Sequence, residues 1–275
     1  MDACSSFAHA SPANTRRWRP KRLIEATWLR WCVAAAIAAY LVVGIGSVEI
    51  DLARIIEGGA RAMRLFEGFL TPDFTSRWSD IQTGMIESLT MTVTATAAGV
   101  LLSVPFALGA ARNLAPTWLY VFCRGVISLA RAFQDIIVAI FFVAMFGFGP
   151  FAGFLTLTLS TIGFLAKLLA DDIEEIDPRQ IEAVRATGAG FWQVLDYAIA
   201  SQVTPRLVGL TAYKVDINFR ESSVIGIVGA GGIGATLNTA LDRYEFDSAA
   251  AILVLIIAIV MVCEYASGFI RKRLA

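Results

Sequence analysis

From Ser88 to Ala111, and again from Ile136 to Ala166, the chain runs without a single charged side chain. Runs of this length constrain the fold more than any other feature. About 20 apolar residues suffice to cross the hydrocarbon core of a bilayer as a helix. Backbone in lipid must satisfy its own hydrogen bonds, which helices do within one segment. Composition points the same way: 57% of the 275 residues are hydrophobic and 17% charged, with mean hydropathy +0.65. Soluble domains carry about 45–50% apolar and about 25% charged residues. The sequence predicts an all-α integral membrane protein with about six transmembrane helices.

The spans are read from the breaks between runs. Trp31 to Val48 is the first. A basic start before an apolar stretch also suits a signal peptide, but the apolar core is long, and Glu49 and Asp51 follow without a small-x-small cleavage site. Residues 49–83 alternate charges with Ile, Met, Leu and Phe, so they read as a surface-lying amphipathic segment or a solvated loop. Ser88 to Ala111 is the second span, and its Thr90, Thr92, Thr94, Thr96 and Gly99 suit close helix packing in lipid. A third helix starts near Thr117 and continues through Arg124, Arg131 and Asp135 to Phe146. The breaker cluster Gly147-Phe148-Gly149-Pro150 separates it from a fourth span, Phe151 to Ala170. The polar segment Asp171 to Pro205 follows, with Pro178 at a helix start. Leu207 to Ile227 is the fifth span, with Lys214, Asp216, Arg220 and Glu221 inside it, and Ser248 to Phe269 is the sixth.

Two parts follow: a basic N-terminal tail, 1–27, and a membrane domain, 28–275, with a loop at 171–206. Six spans put both termini on one side. That side carries Arg16, Arg17, Arg19, Lys21, Arg22, Arg112, Arg179, Arg185, Arg206, Arg271, Lys272 and Arg273, against Arg54, Arg61, Arg64, Arg77 and Arg243 opposite. The cation bias assigns the termini and the 171–206 loop to the cytoplasm. Formal net charge is zero, so no basic surface suggests nucleic acid. Cys4, Cys32, Cys123 and Cys263 form no CxxC spacing and read as small apolar residues. His9, in the tail, is the one histidine. No metal or cofactor is expected.

One motif in the 171–206 loop carries function: Glu182-Ala183-Val184-Arg185-Ala186-Thr187-Gly188. It resembles the "EAA" loop of ABC importer permeases. Glu182, Ala183 and Gly188 match at the right spacing; Val184 replaces the second Ala, and Ala198, Ala200 and Ser201 stand where Ile, Leu and Pro are expected. A permease without its own ATPase needs a short amphipathic element that docks in a groove of one. Small residues permit close docking, Gly188 a sharp turn, and Glu182 an orienting charge. Phe148–Gly153, Gly163–Leu168, Ile181–Gly188, Tyr213–Arg220 with Ser222-Ser223, and Val228–Gly234 together resemble permeases of phosphonate uptake. The resemblance implies a type I ABC importer permease fold in the inner membrane, as a homodimer or paired with a paralogous permease. It also implies a cytoplasmic ATPase pair coupled through residues 178–200, and an external binding protein. The cargo would be phosphonate or a related anion such as phosphite, hypophosphite or a phosphate-like ion.

Three other features admit more than one reading. Gly229-Ala230-Gly231-Gly232-Ile233-Gly234 fits the dinucleotide fingerprint after a strand-like Ser223 to Val228. No βαβ unit follows, so Gly229, Gly231, Gly232 and Gly234 are expected to permit close backbone approach or a bend at the external end of the pore. Asp171, Asp172, Glu174 and Glu175 could be a metal cluster of a membrane enzyme of lipid or polyprenyl metabolism, or a solvated acidic helix start. Arg131 with Asp135, and Asp216 with Arg220, stand one helical turn apart and can pair. Either they fix helix packing, or Arg131 and Arg220 line an anion pathway. Lys214 is a weaker candidate, since its long stem can reach the interface.

Overall fold

A computed structural model describes residues 26–47, 58–59, 62–63 and 66–274. The basic tail cluster, His9 and Cys4, and Glu49, Asp51, Arg54, Arg61 and Arg64 of the mixed segment lie outside the described residues. Every regular element among the described residues is helical. The chain divides into residues 1–59 and 60–275. The first unit contributes α1, Thr27–Ser47, whose Thr27–Gly44 window is apolar enough to cross a membrane.

The second unit is built from the remaining helices. They are α2 (Trp78–Ala110), α3 (Thr117–Ala132), α4 (Asp135–Phe146), α5 (Pro150–Glu174), α6 (Pro178–Ala186) and α7 (Phe191–Val194). A π-helical turn, Leu195–Ala200, then leads into α8 (Ser201–Ile227), α9 (Ile233–Asp242) and α10 (Phe246–Leu274). Among the described residues, four helices are long and apolar enough to span: α1, α2, α5 and α10. The count becomes five if α3 and α4, bent by 92°, form one span.

Two expectations need correction here. The third span is not continuous. Phe133 and Gln134 are extended (ψ 142° at both), so the chain turns between α3 and α4. The expected fifth span forms one helix, α8, 27 residues or about 40 Å at 1.5 Å per residue, but its charges leave it outside the set apolar enough to cross a membrane. Those polar groups face inward: Lys214, Asp216, Asn218 and Ser222 are all buried. Charge inside a bundle is the arrangement membrane proteins tolerate.

The bundle is apolar on both sides. Leu101, Phe122, Phe141, Met261 and Val262 are exposed, while buried Ala, Ser and Thr share the interior with larger residues such as Leu157, Leu165 and Phe219. Lipid tails are as apolar as leucine, so packing rather than hydrophobicity draws the helices together. The pair α2 and α5 shows this best. A Cβ on Gly99 would lie 2.5 Å from Thr161, so only glycine lets the two backbones approach. Thr92 and Thr96 are buried there as the sequence predicts, whereas Thr90 and Thr94 face outward. Two of the buried threonine hydroxyls donate within their own helices: Thr96 Oγ1 to the Thr92 carbonyl at 2.7 Å, Thr161 Oγ1 to the Leu157 carbonyl at 2.6 Å.

Candidate functional site

Two regions carry the functional candidates: a short helical projection at one end of the bundle, and a polar seam between α4, α5 and α8. The projection begins where Asp177 caps α6, its carboxylate accepting from the Arg179 N–H at 3.0 Å, with Pro178 at the first helical position. Amphipathicity seats the helix. Ile181 is buried in one apolar cluster with Val194, Ala198 and Ile199, while Glu182, Ala183 and Gly188 are exposed. Gly188 has φ +84° and open space around its Cβ position. Its N–H closes the turn on the Arg185 carbonyl at 2.9 Å. Behind the projection lies a cavity of about 220 Å³ lined by Leu114, Arg185, Phe191, Val194 and Ile199. Exposed Trp192 and Tyr197 flank it in sequence.

The acidic run at 171–175 lies at the end of α5, not at a helix start. Carboxylates there oppose the helix dipole, and cations answer them. Arg124 does most of this. Its Nε donates to the Ala110 carbonyl left open at the end of α2 (3.0 Å), Nη1 to Asp171 (3.1 Å) and Nη2 to Glu174 (3.0 Å). Lys167 binds Asp171 at 2.6 Å and Arg206 binds Asp172 at 3.0 Å. Glu174 also accepts from the Arg112 N–H. Three of these carboxylates are thus engaged by cations from α3, α5 and α8, and no cluster among the described residues has metal-binding geometry. The membrane-enzyme reading of this run is not supported.

Elsewhere on α8, Asp216 and Arg220 pair as expected, at 3.2 Å. Asp216 is nearly buried; the Arg220 side chain is 58% exposed. Arg131 and Asp135 do not pair, because the bend puts them on different helices. Arg131 packs against Gly163 of α5, and Asp135, at the start of α4, accepts from Ser160 Oγ at 3.0 Å. Ser160 Oγ in turn accepts from Lys214 Nζ at 3.0 Å, and Lys214 reaches Glu221 at 3.4 Å. Lys214 is 3% exposed, so its stem does not carry it out of the bundle. Sequence reading did not bring Ser160 or Glu221 into the site. Both lie where α4, α5 and α8 converge, and no spacing within one helix reports that. Asn218 makes a second junction, donating to Thr96 Oγ1 at 2.8 Å and Thr161 Oγ1 at 2.9 Å.

The glycine stretch is a close-packed corner. Ser223 to Ile227 is helical, not strand-like. Gly229, Gly231 and Gly232 have φ of +95°, +78° and +74°. Added Cβ atoms at these three would strike Phe148, Pro150 and Ser88, and one on Gly234 would sit 2.0 Å from the Ser223 carbonyl oxygen. The Gly149 N–H donates to the Gly229 carbonyl at 3.0 Å, joining this corner to the α4–α5 turn. The start of α9 is satisfied from α2: the Gly232 N–H donates to Glu87 and the Ile233 N–H to Ser88 Oγ.

A small-residue helical bundle with charges inside it and a short projection at one end defines a membrane transport component. Residues 103–275 match the family described as binding-protein-dependent transport system inner membrane component, and the chain belongs to it. Chains of this family are permeases of ABC importers; the ATPase is a separate subunit, and solute is delivered by a binding protein. The chain is 44% identical over 211 residues to the phosphate-import permease protein PhnE of Mycolicibacterium smegmatis, covering 76% of this chain and 40% of that one. It is 38% identical over 225 residues to the phosphite transport system permease protein PtxC of Stutzerimonas stutzeri, covering 82% of each. It thus spans less than half of the first relative and most of the second. The inward-facing MetNI methionine ABC transporter aligns with TM-score 0.63 at 23% identity, over 71% of this chain and 96% of that one. This last likeness establishes the type I permease fold.

Proposed function

We propose that this permease carries a phosphorus oxyanion inward: phosphonate, phosphite, hypophosphite or a phosphate-like ion. The relatives named for phosphate and phosphite transport support the substrate class. The observation that carries the coupling half of the reading is the α6 projection. Its apolar side is buried, while Glu182, Ala183 and Gly188 present a small, polar, exposed face suited to an ATPase groove. The cation bias supports a cytoplasmic location for this loop and both termini.

A second copy of the chain completes the pathway. Arg131 and Arg220 are exposed on a single copy, and a charged side chain facing lipid at mid-membrane costs about 2.5–3.5 kcal/mol on insertion scales. A facing permease enclosing water removes that cost and turns both arginines toward the anion. The glycine corner at 229–234 closes the external end. The test is uptake of labelled phosphite, methylphosphonate and phosphate by proteoliposomes holding the permease, its ATPase and its binding protein. ATP-dependent uptake of at least one is expected. Uptake of none refutes the substrate class, and normal uptake by both Arg131→Gln and Arg220→Gln removes the pathway role.

A further inference from the structure

We propose that Lys214 Nζ and Ser160 Oγ form an oxyanion subsite inside the membrane domain, plugged in the substrate-free state by the carboxylate of Glu221. The proposal rests on the phosphorus-oxyanion reading above and names where in the bundle that anion is held.

Lys214 is the fourteenth of the 27 residues of α8, inside the bundle and away from both helix ends. An ammonium in such a place must be paired, and this one is paired loosely. Its Glu221 contact is 3.4 Å, against 2.6 Å for Lys167 with Asp171; strong charge-assisted bonds of this kind run about 2.7–2.9 Å. Ser160 takes a second ammonium proton, and the Phe164 ring lies 5.7 Å from Nζ. The ring face is a weak acceptor that an anion can replace.

The cluster is open on one side. The Glu221 side chain is 29% exposed, and Tyr213 and Arg220 are exposed beside it on α8. An anion crossing that face meets Arg220 first, then Lys214. Its oxygens take the ammonium protons now directed at Glu221, and Ser160 rotates its hydroxyl proton from Asp135 to the anion. Glu221 leaves toward the exposed side. This exchange keeps Lys214 neutralised throughout, which a low-dielectric site requires. It also lets the anion depart, because Glu221 returns as competitor.

The experiment compares the native complex with Lys214→Met, Lys214→Arg and the double variant Lys214→Met/Glu221→Gln in the same proteoliposomes. Permease abundance, ATP hydrolysis and uptake of phosphite, methylphosphonate and phosphate are each measured. Glu221 also faces Asp135, so Lys214→Met alone strands two acids and is expected to lower abundance; the double variant removes the Lys214 and Glu221 charges, leaves Asp135 on its Ser160 hydrogen bond, and restores it. The double variant is expected to hydrolyse ATP yet take up anion at least about tenfold more slowly, the scale of one lost charge-assisted bond. Lys214→Arg is expected to retain measurable uptake. If the pair only holds helices together, the neutral double variant transports within twofold of native, and that result overturns the subsite. A native complex that carries none of the three anions overturns the substrate class and the subsite together.

Discussion

Gly188 shows what one residue decides. Its φ of +84° is a left-handed conformation, and its Cβ position is open. A side chain there meets no neighbour and costs only backbone strain, about 1–2 kcal/mol; aspartate is among the side chains that tolerate this region best. Gly188→Asp is therefore expected to leave abundance and insertion intact while uptake and ATPase recruitment are lost, measured by co-purification of the ATPase. Normal transport would show that this turn is not the coupling element. Gly234 is the opposite case. A Cβ would sit 2.0 Å from a backbone oxygen that cannot move aside cheaply, so Gly234→Ala is expected to destabilise by about 1–3 kcal/mol. A lowered unfolding temperature of the detergent-solubilised protein checks it. Both glycines stand out in the sequence, yet only the structure separates a docking turn from a packing contact.

At the scale of the element, α8 carries the most information. Its inward face holds Lys214, Asp216, Asn218 and Ser222, while Arg220, Val224 and Ile227 are exposed. Within this one helix the i, i+4 rule predicts a pair correctly, Asp216 with Arg220. If the pair only fixes orientation, exchanging its members preserves uptake, and single neutralisations lower abundance. The exposed arginine favours the other outcome: the Asp216/Arg220 exchange is expected to cut uptake by at least about tenfold, while ATP hydrolysis persists in the assembled complex. The same rule fails for Arg131 and Asp135, because Phe133 and Gln134 end one helix and start the next. Their residue types hold no breaker, so periodicity carries no sign of the bend. The turn entering α2 has a local device of its own. Hydrogen bonds from Ser76 and Thr75 hold the Asp73 carboxyl well below the ordinary carboxylate range. A depressed carboxyl stabilises the folded turn above its unfolded value and loses that contribution as pH falls through the folded one. The 73–76 turn is thus expected to persist through the ordinary carboxylate range and loosen only in stronger acid, checked by amide exchange of Thr75 and Ser76.

For the whole molecule, the loops of the 60–275 unit gather at two ends. Residues 147–149 meet 229–231 at one, and residues 112–113 meet 173–174 at the other. That segregation is what alternating spans require; which end faces the cytoplasm is the expectation the charge bias supplies. Reporter fusions after residues 60, 114, 190 and 240 are expected to read outside, inside, inside and outside. An inside signal at 240 would sink the topology. Arg124 binds one of these ends together, joining the close of α2 to the close of α5. Its partners lie 14, 47 and 50 residues away along the chain, which explains why sequence spacing left it a plain charge in a span.

The sequence by itself determined that this protein is helical and membrane-embedded. It also placed a short element with Glu182, Ala183 and Gly188 between two spans, and it made Asp216 with Arg220 one of two possible pairs, of which the structure forms that one. These are local properties: run length, helical period, capping and turn chemistry act within a few residues. Tertiary structure alone decided that α3 and α4 are separate helices, and that the acids at 171–174 are held by Arg124 and Arg206 from other helices. It also decided that Lys214, Ser160, Asp135 and Glu221 form one network. Those outcomes depend on which helices touch. In lipid that choice is made by shape and by hydrogen bonds across helices, quantities distributed over residues far apart in the chain.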